Sequence, residues 1–233
     1  MCGRFAQAAK PEAIAELFGL PRTAVPSYRP RYNLAPTQPA LVLRRHPMTH
    51  EKELTFLLWG LIPSWAKDPS IGNRLINARA ESLAEKPAFR AAFRRRRCLV
   101  PADGFYEWKK TGDGKQPYFI TRKDGKPMAL AGLWERWQSP DGSVIESFTL
   151  ITTEPNELVR TLHNRMPAIL PEDAFDLWLD PFADLKTVQK LLQTPYPAAR
   201  LTAWPVSALV NNPAHDDPGL IEPLPQLFSP DDL

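Results

Sequence analysis

Apolar positions along this chain follow two rhythms, one helical at the edges and one alternating through the centre. Between Pro11 and Leu20 the apolar residues Ile14, Leu17 and Phe18 recur at helical spacing, which predicts a short amphipathic helix. Residues 21–39 are rich in proline and read as loop, ending in the segment YNLAPTQ. Ala40–Arg44 and Leu54–Trp59 read as strands of a hairpin or meander, followed by the loop GLIPSWAKDP, where Trp65 is expected to be exposed. Pro87–Arg97 reads as a helix that ends in the basic run Arg94–Arg97. Cys98–Lys110 reads as one strand leading into a TGDGK turn. Pro117–Lys123, Met128–Trp137 and Val144–Thr152 are further strands, the last entered through a DG turn at 141–142. Asn156–Leu162, Pro171–Leu179 and Phe182–Leu192 are predicted helical, and Leu201–Val206 is a last strand. No internal repeat and no linker is visible. Strands in the centre and helices at the edges predict one α+β domain over residues 1–222, with 223–233 a mobile, proline-rich acidic tail.

Composition narrows the class. Hydrophobic residues at 43% and charged residues at 24% exclude a disordered or fibrous chain. There is no apolar run long enough to span a membrane, so no membrane partner is expected. The first twenty residues are broken by Arg4, Lys10, Glu12 and Glu16 and lack a signal peptide's apolar stretch, which points to the cytoplasm. The 26 prolines, about twice the usual share, are spread along the chain and predict rigid loops between short elements. Only two cysteines occur, at 2 and 98. They make no metal motif, and Cys98 in RCLVPA reads as a small buried hydrophobe.

Charge is lopsided. Residues 1–130 carry 23 Lys and Arg against 11 Asp and Glu, a balance of +12, whereas residues 131–233 carry 6 against 15, a balance of −9. A basic portion of this size suits a polyanion, because neutralising phosphates releases counterions. The same charges scattered over a solvated surface would do nothing of the kind, and sequence alone does not place them.

Four stretches could carry chemistry. In MCGRF, loss of Met1 would leave Cys2 with an α-amine and a thiol on adjacent carbons. Their ordinary pKa values are ~7.7–8.0 and ~8.5, so both are partly unprotonated near neutral pH. Such an aminothiol can attack an amide or ester, or condense with an aldehyde to a thiazolidine. The plain alternative is an accidental cysteine on a frayed end, where packing in a core is not expected. Gly3 permits close approach, and Arg4 could hold an anion. In INARAE, Asn77 and Arg79 alternate and so share a side of an extended segment; polar residues in a loop are the alternative. In ADGFYEWK, Glu107 lies in an aromatic strand with Phe105 on its face, where desolvation would raise its pKa toward general acid–base use. The alternative is an edge glutamate facing solvent. In TLHNRMP, at the end of a short helix, His163 can transfer protons near neutral pH, or merely cap the helix.

MCGRF, YNLAP at 32–36, INARAE at 76–81, ADGFYEWK at 102–109 and HNRMP at 163–167 occur in this order. As a set they resemble the SRAP family, the SOS-response-associated peptidases now described as abasic-site crosslinking proteins, over residues 2 to about 210. The resemblance implies a single SRAP domain of α+β class with a barrel-like β core, flanking short helices and a basic DNA-binding groove. It implies that mature Cys2 bonds to the ring-opened aldehyde of an abasic site, that Asn77 orients the sugar or amine, that Glu107 shuttles protons and that His163 assists lyase-like Schiff-base chemistry. It implies that Arg4, Arg79 and Arg165 hold flanking phosphates, and that Asn33, Pro36, Trp65 and Thr152 line a single-stranded DNA path. The partner would be single-stranded DNA carrying abasic sites, met in the SOS or DNA-damage response by a monomer without metal or cofactor, at the nucleoid when bound.

Two rivals stand beside this reading. An N-terminal-nucleophile cysteine peptidase or amidase also uses a terminal cysteine, possibly only to remove Met1, but glutamine amidotransferases usually continue Met-Cys-Gly with an aliphatic residue where Arg4 stands here. A non-catalytic module for modified DNA would make Cys2 dispensable.

Overall fold

The residues after Cys2 pair instead of fraying. A computed structural model describes residues 2–112 and 114–225, so Met1, Asp113 of the predicted turn and residues 226–233 of the predicted tail lie outside the described residues. Phe5–Gln7 forms strand β1 and Pro11–Phe18 helix α1, which ends on Gly19 at φ 61°, a left-handed cap that glycine adopts without strain. Strands β2 (Arg31–Leu34), β3 (Pro39–Arg45), β4 (Lys52–Trp59) and the short β5 (Asn77–Arg79) follow. Next come α2 (Arg90–Arg95), β6 (Arg97–Ala102), β7 (Gly104–Thr111), β8 (Gly114–Arg122), β9 (Met128–Gln138) and β10 (Val144–Thr153). The chain ends with α3 (Glu157–Arg160), the two-residue strands β11 (Met166–Pro167) and β12 (Ile169–Leu170), α4 (Phe175–Leu179), α5 (Leu185–Lys190) and β13 (Leu201–Pro205).

Strands β3, β4, β10, β9 and β6 pair in a closed ring, a five-stranded barrel within an α+β domain. Arg44 of β3 reaches Glu146 of β10 at 2.9 and 2.8 Å although these strands are not neighbours, so their side chains meet through the barrel interior. Glu53 completes the pairing at 3.0 Å, and the guanidinium lies 4.3 Å from the centre of the Trp134 ring. This desolvated ion cluster closes one end of the interior. Val42, Trp59, Cys98, Val100 and Phe148 fill the space beyond it, as expected for Cys98. Side chains on the opposite face of the ring, including Leu41, Leu43, Leu99 and Leu133, pack against α1, α2, α4 and α5.

A second sheet, ordered β13-β8-β7-β1-β2, packs on the barrel; Phe5 of β1 meets Trp59 of β4 with ring centres 5.0 Å apart. The stretch read as one strand over 98–110 is two strands in two sheets. The corner is Asp103, whose carboxylate accepts from the backbone N–H of Ala8 and Ala9, and whose own N–H donates to Ala6 at 2.9 Å. Gly104 follows because a Cβ there would sit 2.5 Å from the Ile120 carbonyl oxygen. The helix read over 87–97 stops earlier. Arg97 is the first residue of β6, and its guanidinium is buried on the carbonyls of Trp178, Phe93, Arg94 and Asp180. Burial lowers its pKa to about 10. The loop read over 21–39 holds β2, which pairs with the unforeseen β1.

One side chain seals the junction of the two sheets. In the β3–β6 ladder the rung after Leu43–Leu99 would join Leu41 to Pro101. Proline has no N–H, so that rung cannot form. The Gln7 amide replaces it: Nε2 donates to the Leu41 and Pro101 carbonyls at 2.9 and 2.8 Å, and Oε1 accepts from the Leu41 N–H at 2.8 Å. Gln7→Leu leaves these buried groups without partners and should lower unfolding stability by about 3 kcal/mol in urea titrations. A loss below about 1 kcal/mol would show that the seam repacks.

Candidate active site

Cys2 is fully buried in the cluster that contains Phe5, Leu34, Trp59 and Phe105, contrary to the expected frayed end. The cause is β1, which is an inner strand between β2 and β7 and carries Cys2 with it. The Cys2 carbonyl accepts from the Asn77 side chain at 2.8 Å. Asn77 is placed by β5, which runs parallel to β10 with Asn77 opposite Leu150 and Arg79 opposite Thr152. Asn77, Arg79, Leu150 and Thr152 therefore share one side of this pair. The other atom of the Asn77 amide, Oδ1, and the Thr152 hydroxyl are buried and have no hydrogen-bond partner among the described residues.

Glu107 is buried in β7, on the side of the strand that carries Phe105. Burial pushes its carboxyl up to about 7. The Cys2 thiol is pushed up as well, by burial first and then by the nearby Glu107 charge. His163 Nδ1 lies 3.9 Å from Glu107 Oε1. The ring is set by the end of α3: Asn156 caps that helix on Val159 N–H at 2.9 Å, and His163 N–H donates to the Val159 carbonyl at 2.8 Å. Nδ1 lies 3.1 Å from the Arg165 backbone N–H, from which it can accept, and 3.3 Å from the Arg165 carbonyl, to which it can donate, so both tautomers of the ring find a partner on Arg165. Partial burial lowers the His163 pKa and favours the neutral ring. Segments that are up to 161 positions apart in the chain thus bring Cys2, Asn77, Glu107 and His163 to one place.

The arginines and the residues expected along a DNA path separate into two groups. Arg4 is half-buried and donates through Nη1 to Asn33 Oδ1 at 2.7 Å and to the Val210 carbonyl at 2.6 Å. Asn33 is fully buried, its amide nitrogen shared among the carbonyls of Val210, Asn212 and His215. Asp216 accepts from Tyr32 and Asn33 N–H at 2.6 and 3.0 Å. Asn33 therefore ties the 208–216 segment to β2 and lines no surface. Arg165 is held by Glu81 at 2.7 and 3.0 Å, Glu154 at 3.1 Å and the Thr152 carbonyl at 2.6 Å. Arg79 and Trp65 are exposed, Trp65 to 59%, and Pro36 is partly exposed. Thr152 is buried beside the cluster. Sequence reasoning did not find Gln7, Asp103 or Asp216; Asp103 stood inside a recognised motif, but its task depends on a sheet corner that only the fold reveals. Among the described residues no group of three His, Cys, Asp or Glu could hold a metal ion, and no helix is long and apolar enough to cross a membrane.

A family model described as SOS response associated peptidase (SRAP) matches residues 1–213. The chain is 44% identical over 225 residues to the abasic site processing protein YoqW of Bacillus subtilis (strain 168), covering 95% of this chain and 99% of that one. It is 35% identical over 229 residues to the abasic site processing protein HMCES of Gallus gallus, covering 84% and 67%. A crystal structure of a protein from Bacteroides thetaiotaomicron superposes with a TM-score of 0.83 at 28% identity, covering 96% of this chain and all of that one.

The bonding of Asn33 separates a structural from a ligand-binding role. Asn33→Ala removes the donor from three carbonyls and should cost about 1–3 kcal/mol of stability. Faster backbone hydrogen exchange should be confined to residues 208–216, with affinity for DNA per folded molecule unchanged.

Proposed function

The chain belongs to the SOS response associated peptidase family, and from that membership we propose that it processes abasic sites in DNA by capturing them covalently through Cys2. The observation that carries the proposal is the pinning of the Cys2 carbonyl by Asn77 beside a buried carboxyl whose pKa stands at about 7. A terminal aminothiol held against a group that can both give and take a proton is suited to aldehyde condensation.

Hydrolytic loss of Met1 frees the Cys2 amine. The amine adds to the aldehyde carbon of the opened sugar, forming the C–N bond. Glu107, protonated near neutral pH, gives its proton to the hydroxyl that leaves as water, and an imine results. The buried thiol is held protonated, so the amine attacks first. The imine so formed is protonated and keeps its N–H; the sulfur then adds to its carbon, which neutralises the nitrogen, while the thiol proton passes to the Glu107 carboxylate. One water is lost, a thiazolidine is formed, and Glu107 returns to its acid form. Asn77 Oδ1 and the Thr152 hydroxyl are the buried polar atoms that could receive sugar hydroxyls. His163, held toward its neutral form by partial burial, stands beside Glu107 to assist proton transfer in the reverse, Schiff-base direction. Exposed Trp65 and Arg79 suit a splayed single strand, the indole stacking on bases and the guanidinium meeting phosphate. One chain supplies every group in this scheme, so a monomer is sufficient.

Purified protein, shown by intact mass to lack Met1, should form a heat-stable adduct with a single-stranded oligonucleotide carrying one abasic site. Cys2→Ser keeps the amine and should give only an imine that borohydride traps. Absence of a heat-stable adduct from the wild type would sink the proposal. Glu107→Gln should slow adduct formation about 100-fold or more and remove the fall in rate above about pH 7 that is expected of the wild type. The sign for stability runs oppositely to that of an ordinary paired carboxylate. With the folded pKa raised from 4.5 to about 7, the unfolded chain ionises first, and wild-type stability drops as pH rises through that window. Glu107→Gln should therefore melt higher than the wild type at pH 8, with the gap closing below pH 4.5.

A further inference from the structure

Arg4 and Arg165 donate through their terminal nitrogens to protein carbonyls, Asn33 and the carboxylates of Glu81 and Glu154, and the buried Nε of each lacks a partner among the described residues. A different set of cations surrounds a cleft of about 540 Å3 that shares His163 as a wall with the Cys2 cluster. Its other walls include Trp108, Lys109, Lys110 and Arg160. That volume lies within the range of about 300–1,000 Å3 typical of ligand pockets. Lys115 stands directly opposite Lys110 across the β7–β8 ladder, and its charge is felt at His163. Among the described residues none of these four cations is in an ion pair; Arg160 donates to the Pro155 carbonyl at 3.3 Å. Like charges facing each other across a strand pair repel. An arrangement of this kind is relieved by an anion lying over it. Trp108 donates its indole N–H to Asn211 at 2.7 Å, which holds the ring in place as a wall.

We propose that this cleft takes one flank of the single-stranded DNA, with phosphates on Lys109, Lys110, Lys115 and Arg160 and a base against Trp108. The inference rests on the abasic-site reading and assigns the strand's exit past His163. It adds exposed lysines to the phosphate contact proposed for Arg79.

The test measures equilibrium binding to oligonucleotides with a tetrahydrofuran abasic analogue, which cannot open to an aldehyde, so that binding is read apart from capture. Lys109→Ala/Lys110→Ala should weaken binding about tenfold and reduce the slope of log affinity against log salt by about 1.4, as loss of two single-strand phosphate contacts requires. Arg94→Ala/Arg95→Ala, which removes the same charge from α2, should change the slope far less. Shortening the DNA on one side of the lesion should abolish the difference between the lysine variant and the wild type, and shortening it on the other side should not. Equal slopes for variant and wild type overturn the inference, as does a defect that persists whichever flank is removed. Should the wild type bind the analogue yet form no adduct with a natural abasic site, the capture reading fails and the binding result still decides the cleft.

Discussion

Gln7 makes three hydrogen bonds across the place where Pro101 interrupts the β3–β6 ladder, and β1 is anchored there. The strand is only three residues long, too short to hold itself by ladder bonds alone. Its position between β2 and β7 and the Phe5–Trp59 contact add burial on the barrel side. Chain ends are ordinarily the least ordered part of a domain. Here the second residue is as buried as the middle of the barrel, because the ordering energy comes from Phe5 and Gln7 just behind it. A reactive group at a terminus needs such an anchor, since orientation is worth most where the chain would otherwise move freely.

Burial at that anchor sets the protonation states together. A thiol and a carboxyl placed in the same apolar surroundings both favour their neutral forms, and each charge would raise the pKa of the other acid. Near neutral pH the thiol therefore keeps its proton, and the carboxyl is the group poised to gain or lose one. The neutral His163 beside them adds a polar group without a second fixed charge. Asn77 contributes geometry: one end of its amide holds the Cys2 carbonyl and the other end faces no protein partner among the described residues.

Most of the strands were legible because period-two alternation and glycine turns are local signals. The β3–β4 and β9–β10 hairpins sit where the pattern places them. The cluster of Cys2, Asn77, Glu107 and His163 was legible as a set of motifs, while the burial of Cys2 was not. Nothing in MCGRFAQ alternates long enough to announce a strand, and β1 exists only because β2 and β7 flank it. The break at Asp103 was hidden for a related reason: Arg97–Ala102 and Gly104–Thr111 each look like strand, and only their membership of different sheets separates them. Arg4, Asn33 and Arg165 illustrate another limit. The family resemblance assigned them to DNA, and no local pattern announces that each side chain also bonds to segments far away in sequence, at Val210, His215 or Glu81.

The division of cations follows from their chemistry. A guanidinium has five donors in a plane and can satisfy several carbonyls or carboxylates at once, so arginine is suited to the buried junctions at Arg44, Arg97 and Arg165. A lysine ammonium is a compact charge on a flexible stem and remains well hydrated, so it can follow a phosphate backbone without demanding one geometry. A protein that must accept a lesion in any sequence context gains from that tolerance, since phosphate contacts position a strand and carry no base information. Arginines inside the fold lock together the segments they join, at Glu146, Trp178 and Glu81. Adjustable lysines at the rim are then free to meet whatever strand carries the lesion, and the demand for geometric exactness is confined to the few atoms where bonds are made.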